Sequence, residues 1–256
     1  MLDIENTRRW FRNFTAQFGK NGLFDSVLAY KIGHSERVAQ NALAIAESEH
    51  WDTANEHNLC FAIGLLHDTG RFQQYEKHKT FKDTASEDHA DLGVAILQQE
   101  FDWSYISAET KSIVLCAIKN HNKLDIADDV PENALRYTKM IRDADKIDIF
   151  FQFQKRIDNG TISDLFPWHR QYKGLTQDLV EDVKRTGKGN YKFVKSLYDF
   201  RLIELCWGLD LNFAYSIKTV KNAGLFDRIL ADLSPLGIDA LCAEIMMKIN
   251  SRGELQ

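Results

Sequence analysis

Proline is scarce. The 256 residues hold three, Pro131, Pro167 and Pro235, well under the usual ~5%. Proline breaks helix interiors, so a chain this poor in it suits a helical protein. Cysteine is confined to Cys60, Cys116, Cys206 and Cys242. No two are spaced as CxxC, which excludes the common thiolate zinc and redox patterns; each lies in an apolar stretch and reads as a reduced, buried thiol. No run approaches the ~18 apolar residues of a transmembrane helix. Met1-Leu2-Asp3-Ile4-Glu5 lacks the basic-then-apolar layout of a signal peptide. A basic surplus is missing too: 32 Lys and Arg face 37 Asp and Glu, for a net charge of −5. An extended nucleic-acid surface is therefore not expected. These absences point to a cytoplasmic chain with neither a membrane nor extended nucleic acid as partner.

What is present is ordinary for a folded protein: 44% hydrophobic and 27% charged residues, enough for a sizeable core without disulfides. Apolar residues recur at helical spacing. Trp10, Phe14 and Phe18 stand four apart, and Leu59, Ile63 and Leu66 share a stripe behind a candidate N-cap at Asp52. Similar patterns predict helices over about 3–18, 25–49, 52–67, 88–99, 107–120, 131–157, 176–186, 190–208, 212–222 and 235–250. Period-2 segments are scarce. The expected fold is all-α, a single domain of about ten helices. Segments 70–86 and 158–175 are the longest without periodicity, and long loops in compact domains often carry function.

The strongest local feature is Leu65-Leu66-His67-Asp68-Thr69-Gly70-Arg71, in which two ionisable residues end an apolar helix. Burying such a pair is costly unless it is partnered or binds a metal. Alone, the dipeptide reads more readily as a helix cap or helix end. Four further segments put ionisable residues beside apolar stripes: Gly33-His34-Ser35, Asp88-His89-Ala90, Asn120-His121-Asn122 and Arg142-Asp143-Ala144-Asp145.

In that order, His34, His67-Asp68, His89, His121 and Asp145 resemble the HD-domain superfamily of metal-dependent phosphohydrolases. The resemblance implies a helical metal-binding core over about 25–155, followed by a C-terminal helical extension over 156–256. It also implies a ligand set: His34, His67, Asp68 and Asp145 for a first ion, His89 and His121 for a second, with Asp68 bridging. Four imidazoles and two carboxylates suit divalent Mn, Fe, Co, Ni or Zn, not a soft thiolate site. Two such ions can activate a hydroxide and clamp a phosphoryl group. His121 is followed by Asn122-Lys123 and no Gly-Tyr-Pro occurs, which sets aside the cyclic-dinucleotide branch of the superfamily.

Around this set, Asp68 is expected to orient the ions rather than act as nucleophile. Arg71, three residues after the pair, is a candidate to bind phosphate oxygens; its alternative is a salt bridge to Asp91 or Glu87. Lys146 and His78 are weaker candidates for substrate contact, His78 also for leaving-group acid. His50 and His57 read as solvated, and His169 as structural or pocket-lining. Of Phe72, Tyr75 and Phe81, one can stack on a base or sugar. The expected activity is hydrolysis of a small phosphorylated substrate or nucleotide. Two alternatives share the ligand set: a dinuclear iron oxygenase and a non-catalytic metal-binding sensor. A homo-oligomer is compatible with the sequence.

Overall fold

The computed structural model describes residues 2–164 and 173–254. Pro167, Trp168 and His169, singled out in the sequence, lie outside them. The described residues hold twelve α-helices and no strand beyond one isolated bridge between Lys20 and Leu23. The fold is all-α. None of these helices is long and apolar enough to cross a membrane.

The chain divides into two compact units, Met1–Asp145 and Lys146–Gln256. The division falls inside one helix, ahead of residue 156, where the sequence suggests an extension begins. The first unit contains α1 (Ile4–Ala16), α2 (Ser26–Ser48), α3 (Ala54–Leu66), α4 (Thr69–His78), α5 (His89–Glu100), α6 (Ala108–Asn120) and the start of α7 (Glu132–Asp158). Local chemistry sets most of the starts. Asp3, Asp25, Asp88 and Ser107 each accept a hydrogen bond from a first-turn amide, and Thr53 with Glu56 forms a capping box.

The segment 70–86, read from sequence as a loop, is half helix. Its residues 70–78 belong to α4, which runs Thr69–His78. The polar run Gly70-Arg71-Phe72-Gln73-Gln74 hides the periodicity, because Phe72 is the one large apolar residue in it. Phe72 anchors the helix by packing against the rings of Phe11, Phe14 and Phe18, with centroids 5.8–6.2 Å apart. Two glycines allow the close approaches that shape this unit. A Cβ on Gly64 of α3 would lie 2.6 Å from Ala39 Cα of α2. One on Gly70 would collide with the carbonyl oxygen of His89 and reach 2.6 Å from Gly93 N. The start of α4 therefore lies directly against the start of α5.

The second unit holds the rest of α7 and α8 (Gln177–Thr186), α9 (Leu197–Trp207), α10 (Ala214–Asn222), α11 (Leu225–Leu233) and α12 (Asp239–Gly253). Helix α9 starts at Leu197, later than the sequence suggests, because Tyr191–Phe193 forms a 3-10 turn. Helix α11 is missed by sequence reasoning; it follows directly on Gly224, which takes the left-handed conformation at φ +69. The core of this unit buries Arg201 completely. Its guanidinium lies 2.6 Å from Glu204, 2.7 Å from Asp232 and 2.8 Å from Gln154. Burial pushes the Glu204 carboxyl up to about 7, against the pull of Arg201.

Gly70→Ala is expected to destabilise the protein by about 1–3 kcal/mol, since its Cβ meets backbone that cannot step aside. Gly33→Ala, also in a helix, meets only the flexible end of Arg37 at 3.1 Å and should be neutral or stabilising by up to about 1 kcal/mol. Denaturant melts of the two variants check both signs.

Candidate metal centre

Six ionisable side chains converge within the first unit, each delivered by a helix or its end. His34 lies on α2 and Asp145 on α7. His67 caps the C-terminus of α3, and Asp68 links α3 to α4. His89 opens α5, and His121 ends α6. All but Asp145 are buried, with His67 at 0% exposure.

The carboxylate of Asp68 stands at the middle. Its Oδ2 is 3.5 Å from His34 Nε2 and 3.5 Å from His67 Nε2. Its Oδ1 is 3.3 Å from His89 Nε2 and 3.8 Å from His121 Nε2. Asp145 Oδ1 is 3.1 Å from His34 Nε2 and 3.8 Å from His67 Nε2. Among the described residues, four groups of potential ligand atoms lie within 4.8 Å of one another: His34, His67 and Asp68; Asp68, His89 and His121; His67, His121 and Asp145; and, beside these, Asp83, Asp88 and His89.

The outward nitrogens show what the inward ones offer. His67 Nδ1 lies 2.8 Å from the Gly64 carbonyl, and His121 Nδ1 lies 2.7 Å from the Ile118 carbonyl. A carbonyl only accepts, so both Nδ1 atoms donate and both Nε2 atoms carry lone pairs. His89 Nδ1 lies 2.7 Å from Asp83 Oδ2 and donates to that carboxylate. The Nε2 atoms of His89 and His121 face each other across 3.0 Å, close enough to share a proton or a cation. His67 Nε2 is buried with no hydrogen-bond partner. Nitrogen and oxygen atoms gathered this closely could hold a metal ion, and the mixed donor set suits a divalent transition metal. The residues present fit the metal that the sequence implies.

Charge agrees with geometry. Burial holds the His67 and His121 imidazoles below the usual histidine range, and for His121 the adjacent His89 and His67 rings push the same way. Burial alone would raise the Asp68 carboxyl, but Lys31 and its other cationic neighbours outweigh it and keep the group ionised. Asp145 is likewise lowered, burial being overcome by the hydrogen bond with His34.

Residues 32–149 match the family model of the HD domain. The chain carries an HD domain. No curated protein matches the chain, and no solved structure does. The match spans all six residues of the cluster, from His34 to Asp145.

Around the HD-domain cluster, other candidates fall differently. Arg71 reaches it: Nε is 3.6 Å from Asp68 Oδ1 and has no hydrogen-bond partner. Its salt bridge goes to Asp83 at 2.8 Å, not to Asp91 or Glu87, and the same nitrogen meets Gln74 Oε1 and the Phe81 carbonyl. His78, at the end of α4, lies 2.8 Å from Glu87, which also pairs with Lys77. Lys146 pairs with Asp210 at 2.7 Å.

Two residues were missed in the sequence. Asp83 accepts from Arg71 and Gln74 at Oδ1 and from His89 at Oδ2, with Asn122 Nδ2 at 3.3 Å. It was hidden as one carboxylate in a polar loop. Lys31 places Nζ 2.5 Å from Asp68 Oδ2. Its signal was available, for it stands three residues before His34 and so on the same face of α2.

Two outcomes follow for the HD domain. Asp83→Ala should lower metal affinity about 10- to 100-fold by releasing His89, as measured by competition with a chromophoric chelator. Metal-free protein should lose stability as pH falls below about 6.5. There the unfolded histidines take up protons, while the folded His67 and His121 do so only at lower pH. Urea midpoints between pH 8 and 5 check this; a midpoint that rises on acidification contradicts it.

Proposed function

We propose that this HD domain is a metal-dependent phosphohydrolase acting on a small phosphorylated substrate or nucleotide. The observation that carries the reading is the convergence of the Nε2 atoms of His67, His89 and His121 on the carboxylate of Asp68. In this reading His34, His67, Asp68 and Asp145 hold one divalent ion, and His89 and His121 hold a second, with Asp68 common to both. When bound, the ions supply a hydroxide nucleophile and a clamp for phosphoryl oxygens.

The chain's own residues do the rest. The Gly64 and Ile118 carbonyls and Asp83 hold three rings in the tautomer that ligates. Asp68 keeps both halves of the site in register and carries negative charge throughout. Arg71 is held by Asp83 with its Nε pointing towards Asp68 and unused. That donor serves an equatorial phosphoryl oxygen, where charge gathers in the transition state.

The test is a panel of phosphomonoesters, phosphodiesters and nucleotides assayed with protein loaded in turn with Mn, Fe, Co, Ni and Zn. Release of phosphate or of a nucleoside phosphate is expected with at least one metal, abolished by chelation. Asp68→Ala should remove metal and turnover together, because no neighbouring group replaces a shared carboxylate. A protein that carries two irons, consumes O₂ and hydrolyses nothing contradicts the reading. So does Asp68→Ala with full metal content and normal turnover.

A further inference from the structure

Lys31 occupies an odd place for a cation. It projects from α2 one turn before His34 and sets its ammonium 2.5 Å from Asp68 Oδ2. That oxygen is the one shared with His34 and His67. The side chain is 15% exposed, so it enters from the open edge of the site rather than from the core. Its other neighbour is the ring of Phe81, 5.6 Å from Nζ, and Arg71 lies over the same ring at 5.7 Å.

The two cations differ in how firmly they are held. Arg71 is tied through one nitrogen to Asp83, Gln74 and the Phe81 carbonyl. Among the described residues, Lys31 has one hydrogen-bond acceptor, Asp68. An ion held by His34, His67 and Asp68 draws on that same oxygen and repels the ammonium beside it. A lysine head on a four-carbon stem moves at small cost. Its stem is fixed to α2 and its head already rests near Phe81, so a released ammonium stays at the edge of the site and needs a new anion.

We propose that Lys31 is a substrate-positioning residue: it covers Asp68 in the metal-free protein and, once metal takes that oxygen, binds a non-bridging oxygen of a phosphomonoester. This rests on the phosphohydrolase reading and narrows its substrate class. Lys31 approaches on the Oδ2 side and Arg71 on the Oδ1 side of Asp68. Two protein cations beside the metal site match the doubly charged terminal phosphoryl of a monoester better than the single charge of a diester.

The experiment compares the full-length protein with Lys31→Met and Lys31→Arg in two measurements. The first titrates metal-free protein with Co²⁺ and needs no catalysis. Lys31→Met should bind Co²⁺ several-fold more tightly, because a competing cation is gone, while Lys31→Arg should stay near the parent. The second measures inorganic phosphate binding to the Co²⁺-loaded forms and, where turnover is found, KM and kcat for a monoester and a diester. Phosphate binding should weaken about tenfold or more in Lys31→Met, with monoester KM rising alike, diester KM little changed and Lys31→Arg partly restored. Unchanged or weaker Co²⁺ binding in Lys31→Met overturns the proposal, as does phosphate binding that is absent in the parent or indifferent to the substitution. If the parent binds phosphate but hydrolyses no ester, the phosphohydrolase reading fails while the two binding measurements still decide the role of Lys31.

Discussion

The carboxylate of Asp68 is the constraint on which the rest of this site depends. Its two oxygens serve two different neighbourhoods. Oδ2 faces His34, His67 and Lys31; Oδ1 faces His89, His121 and Arg71. A buried carboxylate is stable as an anion only when positive charge or donors surround it. In the metal-free protein Lys31 meets much of that demand. Of the four imidazoles, three turn a donor outward to two carbonyls and Asp83, and His34 Nε2 lies 3.1 Å from Asp145 Oδ1. What remains at the centre is negative charge and lone pairs, an environment that selects a small, highly charged cation.

The fold delivers this arrangement by ending helices at one place. Helix α3 stops at His67, α4 departs from Asp68, α5 starts at His89 and α6 stops at His121. Helix termini suit the purpose, since a ring at a C-terminus can donate to a carbonyl of the last turn. His67 does so to Gly64 and His121 to Ile118. Close backbone approach supplies the rest. Gly64 lets α3 lie on Ala39 of α2, which carries His34, and Gly70 lets α4 abut α5, which carries His89. Larger residues at these two positions would push the ligand-bearing elements apart.

Much of this was legible in the sequence, and the failures have physical causes. Each of the six clustered residues stood beside an apolar stripe, so its helix and its inward direction could be read together. The helix count ran two low, with α4 and α11 unread; α4 gains its stability from one aromatic residue packed on α1, a tertiary contact with no periodic signature. Asp83 could not be singled out, because its importance lies in two partners, Arg71 and His89, that only folding brings to it. The choice of Arg71 rested on spacing after Asp68, and spacing did place it near. Spacing did not show that Asp83 already engages it. Lys146 looked promising as the neighbour of Asp145, yet one residue along a helix turns ~100°, and its ammonium is held by Asp210.

The phosphohydrolase proposal takes the inward nitrogens of His89 and His121, 3.0 Å apart, for a second metal site and not for two packed core rings. The most direct test is the metal-to-protein ratio of the parent and of His121→Ala, measured with their melting temperatures. About two ions per chain are expected in the parent and about one in the variant, which still folds and still holds the ion at His34, His67 and Asp145. The same ratio in both proteins, with only an ordinary stability loss of about 1–2 kcal/mol in the variant, would contradict it.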